Sequence, residues 1–364
     1  IDNVMAKTTK NAEDLLYKIW KPAVAKVKEE VADMQAYVKA EGKDFKVAPW
    51  DYYYYAEKVK AQKFNISEDD VRPYFKLENV VEGLFHVANK LYGVTFTEMK
   101  DAPKYNPEVT VYEVKDAAGE YLAVFMTDYF PRATKRQGAW MSEFKGACNY
   151  DTINERPVVY NVGNFTRPSG DMPALLTIDE VETAFHEFGH GLHGMLTQCQ
   201  YAAQNGTNVP RDFVELPSQF NENYLTQKKF LDSVAKHYKT GKKMPQDLID
   251  KFVTASQYGA AYACIRQLSF GYLDMAFHTI ENPLRASQDV AAFERNAQAK
   301  TAMFPAVEGT IMAPSFGHIF SGGYAAGYYG YKWAEMLDAD AFAAFLETGN
   351  IYDKKTAEKY LIIL

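Results

Sequence analysis

A chain of 364 residues, 47% hydrophobic and 24% charged, can bury a sizeable core and has the balance of a folded globular protein rather than a disordered one. Its formal net charge of −7 gives nucleic acid no electrostatic support, and no apolar run is long enough to span a bilayer, so neither nucleic acid nor membrane is an expected partner. The three cysteines, Cys148, Cys199 and Cys264, lie far apart without metal-ligand spacing, which argues against a disulfide framework.

The first residue is Ile1, and no signal-like apolar stretch follows it, so the sequence is read as part of a longer or processed chain. A soluble protein is expected, with cytoplasm and periplasm both open. Residues 11–40 carry apolar side chains at helical spacing (Leu15, Ile19, Val24, Val27, Val31, Met34 and Val38), and Pro22 is expected to bend or interrupt that helix. A second helix is predicted over 50–63, with the Tyr52–Tyr55 cluster packing inward, and a third over 77–91, closed by Gly93. The period then changes. Residues 94–98, 109–114, 121–127 and 158–165 are rich in β-branched and aromatic residues, and Asp116–Gly119 is a hairpin signal, so a small, mostly antiparallel sheet is predicted. From Ile178 the pattern is helical again. Thr177 or Asp179 can cap a helix running to Leu196, Pro210 suits the opening of another, and Pro245 and Pro314 punctuate later ones. The fold class is mainly α, of α+β type.

The chemistry is concentrated in His186-Glu187-Phe188-Gly189-His190. Residues four apart lie on one face of a helix, so both imidazoles can meet one metal, and imidazole nitrogen suits zinc. Glu187 is rotated off that line by one residue and can serve as a general base toward water beside the metal. A catalytic zinc takes a third protein ligand. The pattern with a third His ten residues after the first is absent, because that position holds Leu196. His193 lies two turns from His186, roughly 10 Å along the axis, which suits a wall or supporting histidine rather than a ligand. A carboxylate from a following helix remains, and Glu215 and Glu222, on one face of it, are both open. Glu182, one turn before His186, can accept a hydrogen bond from a ligand imidazole.

Three stretches, His186–His193, Pro210–Gln219 and His318–Tyr331, together resemble the thimet oligopeptidase family, most closely its bacterial peptidyl-dipeptidase branch, with the match running from about Trp50 to the end. The resemblance implies a zincin-like helical metallopeptidase catalytic region with one Zn2+ per chain. It implies His186, His190 and Glu215 as zinc ligands and Glu187 as the general base. It also implies that His318, Tyr324 and Tyr331 bind substrate and stabilise the reaction; a phenol or imidazolium aimed at a developing oxyanion supplies such stabilisation. Tyr328 and Tyr329 are read as packing. The spacing from His318 to Tyr324 has the peptidyl-dipeptidase length. Residues 1–95 are expected to form a helical segment of a channel wall and 96–364 the zinc region. The family's N-terminal half, expected to be missing here along with a C-terminal tail, would be a partner.

The expected activity is hydrolysis of short, unstructured peptides, with release of C-terminal dipeptides preferred and internal cleavage as the alternative. A C-terminal dipeptidase must hold a free carboxylate, for which Arg211 and Arg266 are candidates only, with an ordinary structural ion pair the preferred role for each. The non-enzyme alternative is a peptide- or metal-binding fragment with a formed site and no turnover.

Overall fold

The computed structural model describes residues 3–282, 284, 289–362 and 364. In chain order the helices α1 (Thr9–Ala40), α2 (Tyr52–Phe64), α3 (Glu68–Val71) and α4 (Leu77–Tyr92) come first. The strands follow as β1 (Thr95–Glu98), β2 (Thr110–Lys115), β3 (Tyr121–Asp128), β4 (Trp140–Lys145) and β5 (Val158–Val162). Then come α5 (Ile178–Leu196), α6 (Leu216–Glu222), α7 (Lys228–Val234), α8 (Gln246–Ala255) and α9 (Ala260–His278). The chain ends with α10 (Val290–Ala297), α11 (Gly317–Phe320), α12 (Gly330–Glu347) and α13 (Lys354–Leu361). This is the mainly helical α+β fold expected from the sequence. No helix among the described residues is long and apolar enough to cross a membrane.

The chain folds into two compact units, neither of them one stretch of sequence. The first comprises Ile1–Ser67, Arg211–Phe213 and Thr254–Ala334, the second Glu68–Pro210, Val214–Val253 and Glu335–Leu364. The change from helix to strand comes at Thr95, while the second unit begins earlier, at Glu68.

In the first unit α1 packs on α2 and α9. Leu16 and Val27 of α1 share a core with Ile265 and Leu268 of α9, and Met34 and Val38 share one with Tyr52, Tyr55 and Val59 of α2. Pro22 lies inside α1, a helix of 32 residues that continues past it, so the expected interruption does not occur. The tyrosine cluster splits by helical period. Tyr52 and Tyr55 are buried, whereas Tyr53 and Tyr54 are 65% and 58% exposed. Tyr52 stacks on Tyr262 with ring centroids 3.6 Å apart.

The second unit is built on a sheet of order β1-β2-β3-β5-β4 among the described residues. β3 and β5 run parallel and the other pairs antiparallel, so the sheet is mostly antiparallel as expected. Asp116 Oδ1 accepts N–H bonds from Ala118 and Glu120 and so closes the β2–β3 hairpin. α5 lies on the sheet, where Phe188 meets Phe125 of β3, Phe96 of β1 and Phe85 of α4, with centroids 5.5, 5.7 and 5.9 Å away. These rings fix the depth and rotation of α5, and with them the direction of its histidines.

Just past β3 a buried ion cluster pins the chain. Lys135 Nζ lies within hydrogen-bond distance of the carbonyls of Asp128, Phe130 and Gly163 and of Asp128 Oδ1. Arg132 adds two bonds to the same carboxylate and Tyr105 a third. Burial pushes the Asp128 carboxyl up, but these donors outweigh it and hold its pKa below the ordinary value. At Lys135 burial, helped by the positive charge of Arg132, outweighs the Asp128 and Glu108 carboxylates and lowers the pKa.

Candidate metal centre and tyrosine-rich segment

α5 starts where its sequence says it should. Thr177 accepts from the Glu180 N–H, and the Glu180 carboxylate accepts from the Thr177 N–H in return, a reciprocal capping box. Glu180 also accepts from the Thr166 N–H and hydroxyl, which ties the helix start to the segment after β5.

From that fixed start, His186 and His190 fall one turn apart, with ring centroids 4.9 Å apart and nearly perpendicular. The chain then returns past Pro210 through turns and enters α6 only at Leu216, with Pro217 inside its first turn, so Pro217 and not Pro210 marks the helix start. Glu215 is the N-cap residue of α6 and is 1% exposed. Its Oε2 lies 3.2 Å from His186 Nε2 and 3.1 Å from His190 Nε2. One ligand atom from each of the three residues lies within 4.8 Å of the others, a set that could hold a metal ion. Burial raises the Glu215 carboxyl, but the charges and hydrogen bonds of the two imidazoles hold it well below its ordinary pKa. Burial likewise disfavours the charged form of His186, yet the bonds to Glu215 and Glu222 raise its pKa well above the usual value. Two imidazole nitrogens and one buried carboxylate oxygen pointed at one place fit a cation with three protein ligands.

The remaining residues of the centre divide by position. Glu187 is 7% exposed; burial raises its pKa, and its Oε2 has no hydrogen-bond partner among the described residues. Glu222, at the other end of α6, places Oε1 2.6 Å from His186 Nδ1. That contact orients the ring with Nε2 toward Glu215, the usual job of a carboxylate behind a metal-ligating histidine. Glu182 is exposed one turn before His186, and the contact on Nδ1 is made by Glu222. His193 is buried two turns along α5, where burial, then the charge of His190, push its pKa down to about 3.

Residues not singled out from the sequence support this arrangement. The Ser218 hydroxyl lies 2.9 Å from both Glu215 Oε2 and the Glu215 carbonyl, and Asn221 donates to the Phe185 carbonyl, binding α6 to α5. Gly189, inside the histidine pair, is where the helices touch: a Cβ there would come 2.3 Å from the Pro217 carbonyl and 2.6 Å from Ser218 Cα. A glycine inside a helix costs about 0.5–1 kcal/mol relative to alanine, and here it lets Glu215 reach the imidazoles. The Thr-x-x-Glu spacing of the capping box was legible in the sequence; the partners of Ser218 and Asn221 were not.

The other expected site residues belong to the first unit. His318 sits on α11, Tyr324 follows it, and Tyr331 is in the first turn of α12. The Tyr324 and Tyr331 rings stack with centroids 5.3 Å apart and planes 15° apart, and His318 lies 6.1 and 6.4 Å from them. Arg211 places its guanidinium 5.4 Å from the Tyr324 ring centre, while Arg266 is exposed and lies over Phe270. Tyr328 is buried, and the Tyr329 hydroxyl donates to Asp212, so both pack as expected. Asp212 also accepts from the Ala6 N–H, which fixes the backbone beside Arg211. The structure thus gathers His186, Glu187, His190, Glu215 and Glu222 in one unit and Arg211, His318, Tyr324 and Tyr331 in the other.

The chain is 42% identical to a dipeptidyl carboxypeptidase of Salmonella typhimurium over 350 residues, covering 95% of this chain and 51% of that protein. It is 42% identical to the dipeptidyl carboxypeptidase of Escherichia coli, covering 96% and 51%, and 41% identical to oligopeptidase A of Escherichia coli, covering 98% and 52%. The chain therefore spans about half the length of these curated relatives. The sequence profile described as Peptidase family M3 matches residues 1–364. With that family model matching the whole chain and relatives this similar across nearly all of it, the chain belongs to peptidase family M3.

Proposed function

We propose that this chain is the catalytic portion of a zinc peptidase that acts on short, unstructured peptides and removes dipeptides from their C-terminal end. The observation that carries the reading is the meeting of His186 Nε2, His190 Nε2 and Glu215 Oε2, with the buried carboxyl of Glu187 one residue off the same helix face. Zinc held by those three residues would polarise a peptide carbonyl and ease deprotonation of a water. Glu222 keeps the His186 ring turned so that Nε2 faces the centre. Glu187 Oε2 takes the proton as water oxygen bonds to the carbonyl carbon, then delivers it to the amide nitrogen as the C–N bond breaks. A carboxyl whose pKa is raised by burial is suited to both halves of that transfer. His318, Tyr324 and Tyr331 are assigned as donors to the substrate, and residues 1–95 as part of a channel wall.

Dipeptide release is preferred on two grounds: the His318–Tyr324 spacing, and the 42% identity to proteins named dipeptidyl carboxypeptidase. Nearly equal identity, 41%, to a protein named oligopeptidase A keeps internal cleavage as the second reading. The two separate on one substrate pair. With the full-length protein, a free-carboxylate peptide should shorten two residues at a time from its C-terminus. Its amidated twin should be cut at least about tenfold more slowly, because the anchoring charge is lost and the donor that met it is left unpaired. Equal cleavage of both at internal bonds, seen by mass spectrometry, would replace this reading with the oligopeptidase one.

A further inference from the structure

Asp274 lies within α9 with none of its surface exposed, a position where an ionisable group needs a purpose. Its carboxylate reaches out of the helix to the tyrosine-rich segment. Oδ1 accepts the Ala326 N–H at 2.9 Å and Oδ2 accepts the Tyr328 N–H at 2.8 Å. His278, one turn along α9, brings Nδ1 to 2.8 Å from the same carboxylate.

What the carboxylate grips is a strained turn. Ala326 has φ of +54°, the left-handed region that a residue with a Cβ enters only when its surroundings compel it. The turn is closed on its N-terminal side, where Gly327 N–H donates to the Tyr324 carbonyl and Tyr324 N–H to the His318 carbonyl. On its C-terminal side, a Cβ at Gly330 would meet the Arg211 carbonyl at 2.5 Å, so α12 begins in direct backbone contact with the 211–213 segment. Tyr324 and Tyr331, which stack on each other, stand on either side of Ala326. Their relative placement depends on the direction the chain takes at that residue.

We propose that Asp274 is a positioning residue for the tyrosine pair. Its two backbone bonds hold Ala326 in the left-handed conformation, and that conformation sets Tyr324 against Tyr331. The proposal rests on the reading of these tyrosines as substrate donors. Asparagine cannot replace the carboxylate here, because one of its two terminal atoms is an N–H donor that would face one of the backbone N–H groups.

The test uses Asp274→Asn, Ala326→Gly and their combination in the full-length, zinc-loaded protein. Amide exchange over residues 324–331 is followed by mass spectrometry, and kcat and KM are measured separately. Asp274→Asn should speed exchange in that segment and lower kcat by about tenfold, as expected for misplaced groups, with KM within about twofold. Ala326→Gly alone should change little. In the Asp274→Asn background it should recover at least half of the lost kcat, because glycine takes a positive φ without a side-chain penalty. If Asp274→Asn does not fold, Ala326→Val decides instead: residue 326 is exposed, so valine fits, yet it raises the left-handed cost and should reproduce the loss. Unchanged exchange in Asp274→Asn, or no recovery in the double variant, overturns the anchor. Faster exchange with unchanged kcat also overturns it if Tyr331→Phe lowers kcat. If Tyr331→Phe leaves kcat unchanged, the assignment of the tyrosines fails first and the anchor's role falls with it.

Discussion

At the scale of single residues, the proposed centre would separate groups that hold a metal from a group that moves a proton. Glu215→Ala removes a buried oxygen that both imidazoles face, so metal analysis should find this variant empty of zinc. Glu222→Ala removes only the contact on His186 Nδ1. It should still take up zinc, but roughly 10–100-fold more weakly in chelator competition. Glu187→Gln should bind zinc like the parent and hydrolyse almost nothing, since the proton acceptor is gone and the ligands are intact. Zinc retained by Glu215→Ala and lost by Glu222→Ala would exchange the two assignments. The sequence carried most of this set. Four-residue spacing alone places His186 and His190 on one helix face and turns Glu187 aside. It left Glu215 and Glu222 open, because both lie along one short segment. The distinction is made by the contact of α5 with α6 at Gly189, which no spacing within α6 encodes. Asp274 was silent for a similar reason: the amides it binds lie 52 and 54 residues away.

At the scale of elements, legibility followed burial. α5 was readable because Thr177 caps its start and its apolar residues recur at helical spacing as far as Leu196. β4 was missed. It is an edge strand partly exposed along its length, so Trp140–Lys145 shows no apolar alternation to read. The second proline of Pro210–Pro217 opens α6, and local preference could not choose between them. The ion cluster after β3 also lay beyond the sequence, since Lys135 and Asp128 look like ordinary surface charges until the fold buries their side chains to 2% and 1% exposure. Removing one partner of such a pair costs about 3–5 kcal/mol, so Asp128→Asn should lower stability by that order in urea at neutral pH. The pH dependence has a definite sign. The folded pKa of Asp128 is depressed, so its contribution is fully present above the unfolded value near 3.9 and is lost as pH falls through the folded one. The stability gap between parent and Asp128→Asn should therefore be constant from about pH 7 to about pH 5 and shrink below about pH 4. A gap that widens in acid would show that this carboxylate is not ionised in the folded chain.

At the scale of the whole chain, a metal bound only by the native state must add to stability by mass action. Free zinc at 1,000 times its dissociation constant contributes about 4 kcal/mol if the unfolded chain does not bind it. All three proposed ligands lie in the unit built on the sheet, so the effect should be local. For a unit of roughly two hundred residues, each kcal/mol moves the melting temperature by about 2–4 °C, so chelation should lower the transition of that unit by on the order of 10 °C. Amide exchange should rise across α5 and residues 214–222 and stay unchanged in α1 and α9 of the other unit. Two variants calibrate the measurement. Glu187→Gln, which keeps the ligands, should respond to the chelator like the parent, whereas Glu215→Ala should melt at the same temperature with or without it. An equal response from Glu215→Ala would mean that the stabilising ion sits elsewhere in the chain. Loss of protection spread evenly over both units would mean that the metal supports the whole fold, not the junction of α5 with α6.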